Sequence, residues 1–212
     1  MDLGLYNLKY PARRLIGGTL PRFARTDPNH ISWAMLPVGA GVAACLWGGA
    51  QGRPWLYLVA ILLVFVRMFL GTLDGLVATQ FGRSTTTGEL ANRLAPELCD
   101  AGYLLALALA RPEWMLPGLL AVTAAWLTTF AGLVGATAGL PTQSVGPAGQ
   151  TDRLAALQLA SMIAWLGGMR GWHVDPLRLF LWWVAIGGAL TIVLRLRRNL
   201  RGAHGKDGHE GS

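Results

Sequence analysis

The stretch that decides the fold spans residues 66–100 and reads VRMFLGTLDGLVATQFGRSTTTGELANRLAPELCD. Five charged residues interrupt its otherwise apolar runs: Arg67, Asp74, Arg93, Glu97 and Asp100. A charged side chain that faces lipid near the centre of a membrane helix costs about 2.5–3.5 kcal/mol or more on insertion scales. We therefore expect these side chains to face protein or water, and to mark the functional site.

The whole chain is more apolar than a soluble protein of its size. Of its 212 residues, 53% are hydrophobic and only 14% are charged, whereas about a quarter of a soluble domain is charged. Its two cysteines, Cys45 and Cys99, are too few to form the framework of a disulfide-rich domain. The composition excludes an ordinary soluble globule and predicts an integral membrane protein.

Runs of about 20 mostly apolar residues, the length of a membrane-spanning helix, occur six times along the chain. They occupy residues 31–50, 54–78, 88–110, 114–136, 153–170 and 176–196. The connections at 51–53 and 111–113 are short, which favours antiparallel neighbours within one bundle. The predicted fold class is all-α, a six-transmembrane-helix bundle over residues 31–200.

Positive charges gather at the two ends of the chain. The formal net charge is +7, and of the 18 lysines and arginines five lie in residues 1–30 and five in residues 195–206. Positive residues that flank membrane spans stay in the cytoplasm, and an even number of spans returns the chain to its starting side. We therefore expect both termini to be cytoplasmic, and we attribute the basic charge to the membrane rather than to a nucleic acid.

The two terminal segments differ in composition from the bundle between them. Apolar and basic residues alternate in residues 1–30, which predicts an amphipathic segment in the headgroup plane, with a solvated basic tail as the alternative. Residues 201–212 are Gly-rich and polar, and we expect them to form a disordered cytoplasmic tail.

One face of the third predicted span is polar. At 100° per residue, Glu89, Arg93, Glu97 and Asp100 share a face, and Asn92 lies to its side. The face has two interpretations. The charges could neutralise one another as a ladder of pairs four residues apart, or carboxylates of the second and third spans could converge on a divalent cation.

The same residues resemble the signature of the CDP-alcohol phosphotransferases, D-x2-D-G-x2-A-R-x8-G-x3-D-x3-D, which crosses two adjacent spans. The residues that match at the required spacing are Asp74, Gly75, Ala78 and Gly88. The residues that depart from it are Gly71, Thr79, Asn92 and Pro96, which stand where the signature has Asp, Arg, Asp and Asp. A bacterial branch with the pattern G-x3-N-E-x2-D-x3-D is closer, since Asn92 and Asp100 fit it.

Two further stretches extend the resemblance over most of the chain. DPNHIS at 27–32 is similar to the family's T-P-N-x-x-T/S motif at the start of the first span. GPAGQTDR at 146–153 is similar to the branch's G-P-x-x-K-x-x-R before the fifth span, with Gln150 in place of the lysine.

The resemblance implies a membrane phosphotransferase of phospholipid biosynthesis. Such an enzyme moves a substituted phosphate from a CDP-linked lipid, of the CDP-diacylglycerol type, to an alcohol and releases CMP. It implies Mg²⁺ or Mn²⁺ as the cofactor, which offsets charge on the phosphates. It also implies a homodimer in the bacterial inner (cytoplasmic) membrane.

The resemblance assigns the acidic residues to metal binding and proton transfer. The metal ligands are Asp74, Asn92 and Asp100, and the catalytic carboxylates are Asp100 and Glu97, because Pro96 occupies the place of the expected base. Along a helix that begins at Gly88, Asn92 lies about 6 Å in and Asp100 about 18 Å in. Asn92 therefore matches Asp74 in depth better than Asp100 does.

The remaining site residues are expected to bind the substrate. Gly75, Ala78 and Gly88 leave room for it, and Arg83 and Arg153 are candidate phosphate contacts because guanidinium binds phosphate oxygens bidentately. For both arginines the alternative is that they serve only to orient the chain in the membrane.

Two other functions fit parts of the same pattern. Gly71, Thr79 and Pro96 depart from the signature, which favours a catalytically impaired member that binds lipid or nucleotide for a partner. The intramembrane charges favour a small transporter, although the lack of an internal repeat argues against it.

Overall fold

The computed structural model describes residues 18, 20–23, 26–171 and 174–210, and all secondary-structure elements among these residues are helices joined by turns and loops. The long helices are α1 (Pro28–Ala50), α2 (Trp55–Gln80), α3 (Thr86–Ala110), α4 (Pro112–Leu133), α5 (Gln150–Arg170) and α6 (Pro176–Glu210). Short 3₁₀ turns lie at Leu20–Phe23 and Val134–Ala138. The all-α class is confirmed, and each long helix coincides with one of the predicted apolar runs.

The helix ends follow local sequence signals. Asp27 caps α1 by accepting a hydrogen bond from the backbone of Asn29, and Pro28 occupies the first turn. Thr85 caps α3 in the same way through the backbone N–H of Gly88, 3.0 Å away. Gly171 ends α5 in the left-handed conformation, at a φ of 66°.

The helices pack so that the first three form one side of the bundle. α1 packs against both α2 and α3, α4 packs between α3 and α6, and α5 joins α2 to α6. The core between them is filled by large buried side chains such as Met35, Leu46, Tyr103 and Trp114. Gly39 lets α1 approach α3 closely, because a Cβ there would lie 2.5 Å from the Cys99 sulfur.

The prediction of six membrane spans is supported for four helices only. Those long and apolar enough to cross a membrane are α1, α2, α4 extended to Ala138, and α6 over Pro176–His204. α3 and α5 fall outside this set because polar and charged residues interrupt them, at 86–100 and 150–153 respectively. The polar residues of these two stretches include four of the expected site residues, Asn92, Glu97, Asp100 and Arg153.

The structure bears on only part of what is predicted for the two ends of the chain. Most of the amphipathic segment predicted for 1–30 lies outside the described residues, and the buried Leu20 packs with Ile31, Leu73 and Val77. At the other end α6 continues to Glu210, so the tail predicted to be disordered over 201–212 is helical through that residue. The cytoplasmic placement of both termini stays a prediction.

Candidate functional site

A cavity of about 150 Å³ opens where α1, α2 and α3 meet beside the α2–α3 loop. Six of the predicted site residues line it: Asp74, Gly75, Ala78, Arg83, Gly88 and Asn92. They come from two helices and the loop between them. The structure thus brings together most of the residues that match the signature.

Asp74 lies on the wall of this cavity with its side chain held in place. It is only 2% exposed. Its Oδ2 accepts a hydrogen bond of 2.6 Å from the Ser32 hydroxyl on α1, and its Oδ1 accepts one of 2.6 Å from the backbone N–H of Gly75. The carboxylate therefore has a defined orientation beside an open space.

The glycines of the signature have two different effects. At Gly88 a Cβ would lie 2.6 Å from the Asn29 Oδ1, so the Asn29 side chain would have to move to accommodate it. At Gly75 a Cβ would meet only the Asn92 Nδ2, at 3.8 Å. The lack of a side chain at Gly75 therefore leaves space between α2 and Asn92. This space lies at the depth along the helices that the sequence predicts for both Asn92 and Asp74.

The rim of the cavity carries two exposed charged side chains. Arg83 and Glu89 are exposed and line the opening, and Arg83 reaches the backbone carbonyl of Thr26 at 3.5 Å. Arg83 thus lies where a phosphate contact is expected, and Glu89 adds a carboxylate that the signature does not contain.

The other predicted site residues lie elsewhere, in a buried ion cluster formed by Arg67, Glu97, Asp100 and Arg153. Asp100 is 3% exposed, and its two oxygens contact Arg67 Nη2 at 3.4 Å and Arg153 Nη2 at 3.0 Å. Arg153 Nη2 also contacts Glu97 Oε2 at 3.5 Å. Two carboxylates and two guanidiniums neutralise one another here, and none of the four lines the cavity.

Three residues for which roles in the site are predicted thus lie outside the cavity, and their roles stay predictions. Asp100 lies eight residues beyond Asn92, about 12 Å along α3, and it contacts two arginines. Glu97 contacts Arg153 on α5. Arg153 uses its Nη1 on the Ala148 carbonyl, at 3.3 Å, and its Nη2 on the carboxylates, so in this arrangement it is not open to a phosphate.

Seven residues of the cavity lining are not among the predicted site residues, and two of them, Ser32 and Glu89, bear on its chemistry. Ser32 belongs to the DPNHIS motif, and its position there was the available signal, but its contact with Asp74 crosses 42 residues of sequence. Glu89 was placed on the polar face of α3 without a role, and no signature position points to it.

The cavity fits a divalent cation that is shared with a substrate. Within the described residues no three His, Cys, Asp or Glu side chains are grouped so that they could enclose a metal. Mg²⁺, however, is commonly bound by one or two carboxylates together with substrate phosphates and water. Asp74 and Glu89, with the Asn92 amide, supply such a partial set of oxygen ligands.

Comparison with known proteins places the chain in a family. No family model matches it, but it is 30% identical over 173 residues to the inner membrane protein YnbA of Escherichia coli (strain K12), covering 78% of this chain and 84% of that protein. Its fold matches the Mycobacterium tuberculosis phosphatidylinositol phosphate synthase PgsA1 with CDP-DAG bound, at a TM-score of 0.66 and 16% identity over 91% of this chain and 94% of that one. The chain is thus a relative of YnbA with the CDP-alcohol phosphotransferase fold. The resemblance read from the signature is confirmed.

A second PgsA1 structure extends the comparison to the metal. It contains manganese and citrate, and it matches at a TM-score of 0.67 and 16% identity over 91% of this chain and 88% of that one. At this identity the likeness concerns the fold. The four apolar helices and the relative named as an inner membrane protein support a membrane protein.

Proposed function

We propose that the protein transfers a substituted phosphate from a CDP-linked lipid, of the CDP-diacylglycerol type, to an alcohol and releases CMP. The observation that carries the proposal is the Asp74 carboxylate, held by two hydrogen bonds on the wall of a cavity that also contains Gly75, Ala78 and Gly88 of the signature. The reaction would serve phospholipid biosynthesis in the bacterial inner membrane.

The charges of the cavity support a nucleoside diphosphate donor. Asp74 and Glu89 would hold Mg²⁺ or Mn²⁺ with the Asn92 amide, and the bound ion would offset negative charge on the diphosphate as the bond to CMP breaks. Arg83 on the rim is placed to contact a phosphate oxygen. The PgsA1 structures, which contain CDP-DAG or manganese, support this donor and this class of metal.

The acceptor hydroxyl must lose a proton, and Glu89 is the better placed of the two carboxylates in the cavity. Asp74 is buried and held by two donors, whereas Glu89 is exposed at the opening. A base has to reach the proton that it removes, so geometry counts before pKa. Asp100 and Glu97 could take this part only if the buried ion cluster opened.

A transporter is not supported by the same contacts. Asp100 and Glu97 are paired with arginines inside the bundle rather than arranged along a path through it. The homodimer implied by the resemblance stays a prediction.

The test is release of CMP by the purified full-length protein. Labelled CDP-diacylglycerol is incubated with Mg²⁺ or Mn²⁺ and with glycerol phosphate, inositol phosphate, serine or choline. We expect CMP with one of these acceptors and none after Asp74→Ala, while Glu113→Gln, at the start of α4 and outside the cavity, serves as the matched control. Tight donor binding without CMP under either metal would contradict the proposal and favour a member that has lost turnover.

A further inference from the structure

Ser32 on α1 makes the contact between helices that fixes the site carboxylate. Ser32 and Asp74 are each 2% exposed, and the Ser32 hydroxyl lies 2.6 Å from Asp74 Oδ2 and 3.3 Å from the Pro28 carbonyl. A hydroxyl has one hydrogen to donate, and a short bond to a carboxylate is stronger than a longer one to a neutral carbonyl. The hydrogen therefore goes to Asp74.

The backbone that carries Ser32 is itself fixed against both neighbouring helices. One turn further along α1, Met35 accepts a hydrogen bond of 3.3 Å from the Cys99 thiol on α3 through its backbone carbonyl. The Met35 sulfur would lie 3.1 Å from a Cβ placed at Gly71 on α2. The turn of α1 that follows Ser32 is thus packed between α2 and α3.

We infer that Ser32 is a positioning residue that orients the Asp74 carboxylate toward a divalent cation in the cavity. The inference rests on the proposed function, because it takes Asp74 as a metal ligand. Hydrogen-bond partners of metal ligands typically change metal affinity 10–100-fold. The Ser32 hydroxyl on Oδ2 and the Gly75 N–H on Oδ1 fix the rotation of the carboxylate and the direction of its remaining lone pairs.

The departures of this chain from the signature make the orientation of Asp74 more important. Gly71 and Pro96 stand where two acidic residues are expected, so fewer carboxylates share the cation. With fewer ligands, less of the binding free energy remains when one of them is misdirected. Ser32 supports the one buried carboxylate of this cavity among the described residues.

The experiment compares Ser32→Ala and Ser32→Thr in the full-length protein. Mn²⁺ affinity is measured in the presence of CDP by the electron paramagnetic resonance of free Mn²⁺, and thermal unfolding is followed in parallel. We expect Ser32→Ala to weaken Mn²⁺ binding about 10–100-fold and Ser32→Thr, which keeps the hydroxyl, to restore most of it. CMP release by Ser32→Ala should recover at high Mn²⁺.

Ser161→Ala is the matched control. Ser161 on α5 is 1% exposed, as buried as Ser32, and its hydroxyl makes no hydrogen bond in the described structure. A loss of a buried hydroxyl as such would affect both variants alike, so only a positioning role predicts a change in Mn²⁺ affinity for Ser32→Ala alone.

The outcomes separate this inference from the proposed function. Unchanged Mn²⁺ affinity in Ser32→Ala, with affinity lost in Asp74→Ala, would overturn the positioning role and leave Asp74 a metal ligand. Unchanged affinity in Asp74→Ala would overturn both. Weakened affinity in Ser32→Ala, in a protein that never releases CMP, would support the positioning role and contradict the proposed reaction.

Discussion

Two buried aspartates, Asp74 on α2 and Asp100 on α3, have opposite surroundings. Asp74 is held by a hydroxyl and a backbone N–H beside an open cavity, and Asp100 is held between two guanidiniums in the core. Their exposed fractions are nearly the same, 2% and 3%. The two carboxylates therefore differ in the groups that contact them and not in how far they are buried.

The comparison assigns the two groups of residues to different tasks. The Ser32 hydroxyl and the Gly75 N–H are neutral donors, and they orient the Asp74 carboxylate without carrying a charge of their own. Arginines cancel that charge and tie helices together instead. We therefore propose that the cavity is the site of chemistry, whereas the buried ion cluster joins α2, α3 and α5.

The largest effect is expected on activity when Asp74 is replaced. Asp74→Asn keeps the size of the side chain but removes its charge, and stabilisation of transition-state charge by a metal is worth several kcal/mol. CMP release should fall on the order of 1,000-fold, with little change in the unfolding temperature. A variant that kept most of its activity would remove Asp74 from the site.

Replacement of Asp100 should produce the opposite pattern. Asp100→Asn leaves Arg67 and Arg153 buried without their shared counter-charge, and breaking a buried pair costs about 3–5 kcal/mol. Chemical unfolding in detergent should show this loss of stability, while Mn²⁺ affinity per folded molecule stays unchanged. Loss of Mn²⁺ binding without loss of stability would place Asp100 in the metal site after all.

Gly88→Ala should alter the mouth of the cavity. Its Cβ would displace the Asn29 side chain, 2.6 Å away, and disturb the Thr85 cap. We expect these changes to weaken the binding free energy of the donor by about 1 kcal/mol, which corresponds to a roughly fivefold higher KM. Gly102→Ala on the same helix is the control, since a Cβ there meets nothing within 4 Å; equal KM values for the two variants would contradict the role of Gly88.

The smallest effect is expected at Arg83. It is exposed, and exposed charge pairs contribute about 1 kcal/mol or less, so Arg83→Ala should raise the donor KM about twofold to fivefold at low salt. Arg93→Ala, exposed on α3 but outside the cavity lining, is the control. Identical salt dependence in both variants would mean that Arg83 does not contact the donor.

The sequence predicts much of this molecule because its strongest signals are local. Apolar runs and caps such as Asp27 and Thr85 locate the helices, and the spacing from Asp74 to Gly88 places a helix, a loop and the next helix start around one cavity. The rise per residue of a helix is enough to predict that Asn92 and Asp74 lie at a similar depth in the membrane. These features depend on residues close together in the chain.

The contacts that the sequence does not predict join residues that are distant in the chain. The partners of Asp100 lie 33 and 53 residues away, and Ser32 lies 42 residues from Asp74. Periodicity shows that Glu97 and Asp100 are on a polar face of α3 but not which helix that face meets. The count of membrane spans fails for a related reason, since paired charges in α3 and α5 make these helices less apolar than a span is expected to be.

The central claim is that a divalent cation binds beside Asp74 and not beside Asp100. Crystals of the full-length protein grown with Mn²⁺ and CDP would test it through the anomalous signal of manganese. We predict a peak in the cavity, coordinated by Asp74 on the side that faces Asn92, with Asp100 still paired to Arg67 and Arg153. A peak at Asp100, or an ordered Mn²⁺–CDP complex that does not touch Asp74, would contradict the claim.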